Sequence, residues 1–230
     1  MYTRSKACRV RFEPAKESDD GELRALLHKT PMGGSISLAF LREPGYFSAT
    51  RIQGAFTQVF IAKAGEKIVG AATRAVRPTF LNGKMIDGGY LSDLRILPEF
   101  RRGMTLARGY RYLRNLHSDG RTSIYTTVIV EDNEPALRTV AANRADLPTY
   151  TDQGRIVTPM ISLKKKLPEI PADVRSATCE DLPAIVAKLN ETKMQFQPAY
   201  VEKDFIDGRF QNLQVSDFRL LFREGKLAGV

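Results

Sequence analysis

One stretch limits the folds open to this chain more than any other: Gly88 to Leu113, GGYLSDLRILPEFRRGMTLARGYRYL. Leu91, Leu94, Ile96 and Leu97 make an apolar run from Tyr90 to Leu97 that is too short for a lone helix, so it is expected as a strand. Pro98 closes it, because proline has no amide to give to a ladder. Beyond it Leu106, Tyr110, Leu113 and His117 recur at helical spacing, which sets a helix from about Gly103 to His117 with one apolar face. That helix begins almost on top of Arg101 and Arg102. A helix N-terminus leaves N–H groups without intrahelical partners and carries positive partial charge, so it attracts anions. Two guanidiniums there do nothing for the helix, since cations stabilise its other end. They fit a site for a negatively charged ligand, or a solvated basic pair.

The segments on either side extend the pattern. A first strand is expected over Cys8 to Glu13, where Val10 and Phe12 alternate with Arg9 and Arg11. Ser18 is placed to cap a helix carrying Asp19, Asp20 and Glu22 in its first turn and Leu23, Leu26 and Leu27 on its apolar stripe. Thr30 to Gly54 is mixed and is expected to form a loop and a short second helix. Strands follow over Gln58 to Ala64 and Ile68 to Arg77, joined at Gly65-Glu66-Lys67. Asn82-Gly83 signals a tight turn into the strand that ends at Pro98. Ser123 to Val130 is β-rich, Pro135 to Asn143 helical, and Ile156 to Leu163 a last strand. The fold class is therefore α/β, an α+β mixed sheet with helices on both faces.

The strand, turn and helix resemble the signature of the GNAT superfamily of acyl-CoA N-acyltransferases. Asp93-Leu94-Arg95-Ile96-Leu97-Pro98 is similar to its strand motif. Arg102-Gly103-Met104-Thr105-Leu106-Ala107 resembles the Arg/Gln-x-x-Gly-x-Gly/Ala loop that takes a pyrophosphate on backbone amides. Thr105 stands where the first family glycine is expected, and the spacing from Pro98 is one residue longer. The order of elements agrees with the family from about Val10 to Leu163.

The resemblance implies an acetyl-CoA-dependent N-acetyltransferase, a transferase acting on a primary amine of a small molecule or peptide. Acetyl-CoA would be the acyl donor, and no metal would be needed. The family sheet splays between its fourth and fifth strands, here near Leu94 to Ile96 and Thr127 to Ile129, and pantetheine would lie in that gap. Implied cofactor contacts are Leu94, Arg95, Ile96, Arg101, Arg102, Gly103, Met104, Thr105, Leu106, Ala107 and Asn133, the last opening Asn133-Glu134-Pro135-Ala136. The N–H of Leu94 or Ile96 would polarise the thioester carbonyl. Asp93 and Glu131, at the ends of the splayed strands, are the candidate bases. Asp93 reads equally as a polar residue alternating with Leu94, while Asp132 and Glu134 read as helix N-terminal acids and Asn133 as a cap. The family's frequent tyrosine acid would stand at Val140, and neither Tyr125 nor Tyr150 occupies that place. A non-catalytic acyl-CoA-binding or scaffold module is the alternative reading.

Composition narrows the classes. With 230 residues, 43% hydrophobic and 27% charged, the chain supports one large domain or one and part of another. No apolar run approaches a membrane span, and the N-terminus lacks the apolar core of a secretory signal. Cys8 and Cys179 match no metal or redox spacing, pointing to a reducing, cytoplasmic setting. With only His28 and His117, zinc sites and histidine triads are disfavoured. The net charge of +9 is compatible with steering a polyanion such as CoA, with an acidic substrate or with solubility alone. Nucleic-acid binding has little support, because Lys164-Lys165-Lys166 is the only basic run and no recognition module surrounds it.

A second signal is internal. FRLLFREGKLAGV, Phe218 to Val230, echoes VFIAKAGEKIVGA, Val59 to Ala71, and Asp173 to Leu182 echoes the first strand and helix. Matching Gly229 to Gly70 gives an offset of 159 (229 − 70), and Arg175 to Arg11 gives 164 (175 − 11). The expected division is 1–165 as a GNAT-like domain, 166–171 as linker within the proline-bearing Lys164 to Pro171 stretch, and 172–230 as a partial second unit, with the apolar end at Val230 suggesting a fragment.

Overall fold

A computed structural model describes residues 9–34, 37–101, 104–141, 147–159, 171–206, 210 and 213–230. The chain divides into two units: Met1–Tyr150 with Gln195–Pro198, and Thr151–Met194 with Ala199–Val230. No helix among the described residues is long and apolar enough to cross a membrane. Cys8, Asn143 and the Lys164-Lys165-Lys166 run lie outside the described residues, as does the expected linker up to residue 170.

Unit 1 runs β1 (Arg11–Pro14), α1 (Asp20–Lys29), α2 (Tyr46–Thr50), β2 (Phe56–Ala64), β3 (Lys67–Leu81), β4 (Lys84–Ile96), α3 (Thr105–His117), β5 (Tyr125–Thr126) and α4 (Glu134–Val140). The strands lie in that order, antiparallel until β5 joins β4 in parallel. Strand alternation sends successive side chains to opposite faces. Ile61, Val69 and Ala71 thus share a core with Leu23, Leu26 and Leu27 of α1 and Tyr46 of α2, while Phe60 and Ala72 pack with Leu113 of α3. The β3–β4 hairpin turns at Asn82 and Gly83, both at positive φ (52° and 73°), the geometry that Asn-Gly supports in a two-residue hairpin turn.

Several boundaries differ from those expected. Ser18 does not cap α1: it lies inside a 3₁₀ turn, Glu17–Asp19, whose entry is closed by Asp19 accepting from the Lys16 N–H at 2.8 Å. The strand expected over Ser123 to Val130 pairs only at Tyr125 and Thr126, because it has a partner in β4 only that far. Ile156 and Val157, expected in a last strand, are 77% and 88% exposed and join no sheet; residues 160–163 of that stretch lie outside the described residues. The helix expected from Gly103 starts at Thr105, with Met104 as its N-cap residue. Glu131 lies in an exposed turn before α4 rather than at a strand end.

Unit 2 holds β6 (Val174–Ser176), α5 (Leu182–Leu189), α6 (Lys203–Ile206), β7 (Arg219–Arg223) and β8 (Lys226–Gly229), the strands forming a sheet in the order β6-β7-β8. Its core is Ala177, Ile185 and Leu220. Its pairings repeat those of unit 1. Ala62↔Gly70, Lys63↔Ile68 and Ala64↔Lys67 recur as Leu221↔Gly229, Phe222↔Leu227 and Arg223↔Lys226, with a bulge at the same step. Ala15 N–H donates to Val59 O, and Ala177 N–H donates to Phe218 O. The Asp19 bond to Lys16 recurs as Asp181 accepting from the Thr178 N–H at 2.7 Å, at an offset of 162 (181 − 19). The register also corrects the Arg175–Arg11 match. Val174 faces Leu221 as Phe12 faces Ala62, so Arg175 corresponds to Glu13.

Candidate functional site

β4 changes character at Asp93. Ser92 lies opposite Thr73 and Arg95 opposite Ala71, so Asp93 and Leu94 together face the single residue Ala72. This is a β-bulge, and Asp93 takes it up at φ 53°, a left-handed conformation that a short polar side chain tolerates better than most. Asp93 is therefore no ordinary alternating polar residue. The bulge buries its side chain to 4% exposure and aims it at the α1/α2 side.

There Arg42, from the loop before α2, grips it. Arg42 Nε donates to Oδ2 at 3.2 Å and Nη2 donates to Oδ1 at 3.1 Å. The Tyr46 hydroxyl donates to Oδ2 at 3.5 Å and lies 3.2 Å from the Thr73 hydroxyl. Burial, reinforced by the Asp93 charge, pushes the Tyr46 phenol well above its ordinary range. Tyr90 lies on the same face, its phenol raised by burial, with the Arg77 guanidinium 4.8 Å from its ring centre. Sequence reasoning missed Arg42 and Tyr46, since the segment that carries them has no motif.

The other edge of β4 opens past Tyr90. Gly89 accepts β5 closely, because any Cβ there would overlap the Tyr125 ring. Gly89↔Tyr125 and Tyr90↔Thr126 pair, the Thr127 hydroxyl reaches Leu91 O at 2.7 Å, and no strand among the described residues flanks β4 beyond it. Leu97 N–H donates to Val69 O on β3 at 2.9 Å, so by alternation the N–H and C=O of Ile96 turn to the open edge. Two carbonyls of this stretch carry guanidiniums of the chain itself. Arg95 Nη1 donates to Leu94 O, and Arg101 Nε donates to Ile96 O, each at 2.9 Å. The cost of unpaired edge groups is thus met partly from within.

The turn to α3 is described only in part, because Arg102 and Gly103 lie outside the described residues. Met104 is 59% exposed and makes no side-chain cap bond, while Thr105 is buried at 9%. Among the described residues the first bond of α3 runs from the Arg108 N–H to Met104 O, so the N–H groups of Thr105, Leu106 and Ala107 have no acceptor within the helix itself. Asn133 caps α4, its side chain accepting from the Ala136 N–H at 3.3 Å. Val140 is buried at 8%. Two tyrosine hydroxyls meet at 3.1 Å, Tyr110 of α3 and Tyr150, both phenols raised chiefly by burial. Tyr125 is engaged elsewhere, accepting from Arg74 Nε at 2.8 Å. Among the described residues no group of His, Cys, Asp and Glu is arranged to hold a metal ion.

Sequence comparison finds no matching family model and no matching curated protein. Structural comparison does find likenesses. An aminoglycoside acetyltransferase from an uncultured soil metagenomic sample, solved with trehalose, superposes with a TM-score of 0.50 at 15% identity, covering 66% of this chain and 97% of that one. A predicted acetyltransferase from Clostridium acetobutylicum, solved with acetyl-CoA, gives 0.47 at 16% identity, covering 65% and 96%. An acetyltransferase of Trypanosoma brucei gives 0.44 at 17% identity, covering 65% and 100%.

Proposed function

We propose, from a chain that has the GNAT-type acyl-CoA N-acyltransferase fold, that unit 1 moves an acetyl group from acetyl-CoA to a primary amine. The observation that carries this reading is the open edge of β4 beside the α3 N-terminus. A strand edge with free hydrogen-bonding groups suits the amide-bearing arm of the donor, and a helix start suits its diphosphate. The residues present fit such a donor. Ile96 N–H faces the gap, Arg101 stands at its mouth, and the first α3 amides have no intrahelical acceptors.

Acetyl-CoA would supply the activated acyl carbon. Leu94 and Ile96, with only the main chain of Arg95 between them, would line its arm, Arg101, Arg102, Gly103, Met104, Thr105, Leu106 and Ala107 its diphosphate, and Asn133 would contact it from the start of α4. Ile96 N–H would polarise the thioester carbonyl, a role that pre-aligned backbone amides perform without reorganising. Asp93 takes the amine proton once Arg42 yields one of its bonds, and Glu131 is the alternative acceptor, through water. Val140 offers no hydroxyl, so the departing thiolate would take its proton from water or from another residue. Unit 2, whose pairings match those of β1 to β3, is read as a partial second unit of the same kind.

Incubation with acetyl-CoA and a panel of amines, followed by free thiol, tests the proposal. Thiol release above the protein-free rate is expected. A thermal shift with acetyl-CoA but no release with any amine would leave a binding module instead.

A further inference from the structure

The face of β4 turned to α1 and α2 carries more guanidinium than carboxylate. Arg42 and Asp93 cancel one another through two nitrogens and both oxygens. Arg95 has no such partner. It is half-buried, one terminal nitrogen bonds Leu94 O, and its Nε is buried with no hydrogen-bond partner, the one such side-chain atom found among the described residues. Burial holds its proton affinity below that of an ordinary guanidinium, and the Arg42 and Arg101 charges add to that effect against the pull of Asp93.

A buried donor left unpaired is costly, and the planar fork of arginine matches a carboxylate or phosphate better than any neutral group. Arg95 lies opposite Ala71, on the face that carries Asp93, Tyr46 and Arg42, with the Arg101 charge also acting on it, whereas α3 packs on the opposite face with Phe60 and Ala72. Resting on the acyl-transfer reading, we infer that Arg95 recognises an oxyanion on the acceptor, so that the acceptor is an amine also bearing a carboxylate or phosphate. A polycationic amine would meet like charge here.

Three probes of matched skeleton test this on the full chain: 4-aminobutyrate, butylamine and putrescine, followed by saturation-transfer NMR without cofactor. 4-Aminobutyrate is expected to bind about tenfold more tightly than the other two. Arg95→Met should abolish that preference, and Arg95→Lys, which keeps the charge but loses the fork, should restore part of it. Arg114→Met on exposed α3 should change nothing. Acetyl-CoA affinity, by calorimetry, should stay within about twofold in Arg95→Met. The inference is overturned if 4-aminobutyrate has no advantage, or if its advantage survives Arg95→Met. A collapse of acetyl-CoA affinity in that variant also overturns it, by assigning Arg95 to the donor's own phosphates. A chain that selects 4-aminobutyrate through Arg95 yet neither binds acetyl-CoA nor releases thiol would keep the oxyanion site and sink the transferase reading.

Discussion

Arg74 has no exposed surface, yet it carries a charge on β3 in the middle of an apolar run. It is tolerated because each of its three nitrogens is engaged: Asp119 takes a bidentate pair at 2.7 and 2.8 Å, Tyr125 one bond, and Leu116 O and Gln58 further ones. The network ties the end of α3 and the start of β5 to the sheet, and so fixes where the open edge of β4 begins. Arg74→Met should cost on the order of 1–3 kcal/mol, since the Tyr125 hydroxyl, Leu116 O and Gln58 lose a buried donor while Asp119, a third exposed, turns to water, and denaturant melts would register it. The Arg74 guanidinium, with the Arg121 amide, holds the Asp119 carboxyl well below the usual carboxylate range. Such a group stabilises the fold fully above its unfolded-state pKa, and that contribution is lost as pH falls through the depressed folded value. Asp119→Asn should therefore be less stable at neutral pH and show a flatter acid limb in a plot of melting temperature against pH. At the bulge, Asp93→Asn keeps a side chain that accepts positive φ. If Asp93 takes the amine proton, the variant should lose about 10²- to 10⁴-fold in kcat while keeping its acetyl-CoA affinity.

Among elements, α3 separates stability from binding. Its N-cap residue, Met104, is exposed and offers no cap bond. Met104→Asp should stabilise the free protein by about 1 kcal/mol through a new cap and the helix dipole. The same carboxylate should repel a diphosphate, so acetyl-CoA affinity should fall as the melting temperature rises. A parallel rise in both would place the donor's phosphates elsewhere. Strands β2, β3 and β4 and helices α1 and α3 were legible in the sequence because each buries a face with the right period, and the Asn82-Gly83 turn needs its two residues locally. β5 was overestimated because its apolar residues mark burial, not pairing, and Val128 is 61% exposed where β4 has already been left behind. Of the candidate site, the sequence placed Ile96 at a strand end and Asn133 at a helix cap, because those positions are locally determined, and it placed the α3 start within two residues of where it lies. Arg42, 51 residues from Asp93, and Arg74, 45 from Asp119, join through the sheet, and no spacing in the chain announces such partners.

Across the whole chain, two sheets with separate cores repeat one hydrogen-bond register, down to a bulge and an acid-capped 3₁₀ turn. Side-chain identity is kept far less well than backbone pairing: Lys63 corresponds to Phe222 and Ala62 to Leu221. The shared features are those that set chain direction, the two-residue turn whose first residue takes positive φ (Gly65 in one unit, Glu224 in the other) and the aspartate that closes the helix entry, together with apolar positions on each helix. Leu23 and Ile185, at the offset of 162 (185 − 23), both have no exposure and sit under their sheets. If the two units are built on one plan, these positions do the same work. Leu23→Ala and Ile185→Ala should each cost about 2–5 kcal/mol, the usual penalty for emptying a buried aliphatic site. Hydrogen exchange should locate the loss in β1 and β2 for the first and in β6 and β7 for the second. An Ile185→Ala change that left the β6 and β7 amides as protected as before would deny unit 2 a core of the unit 1 kind, and with it the reading as a partial second unit.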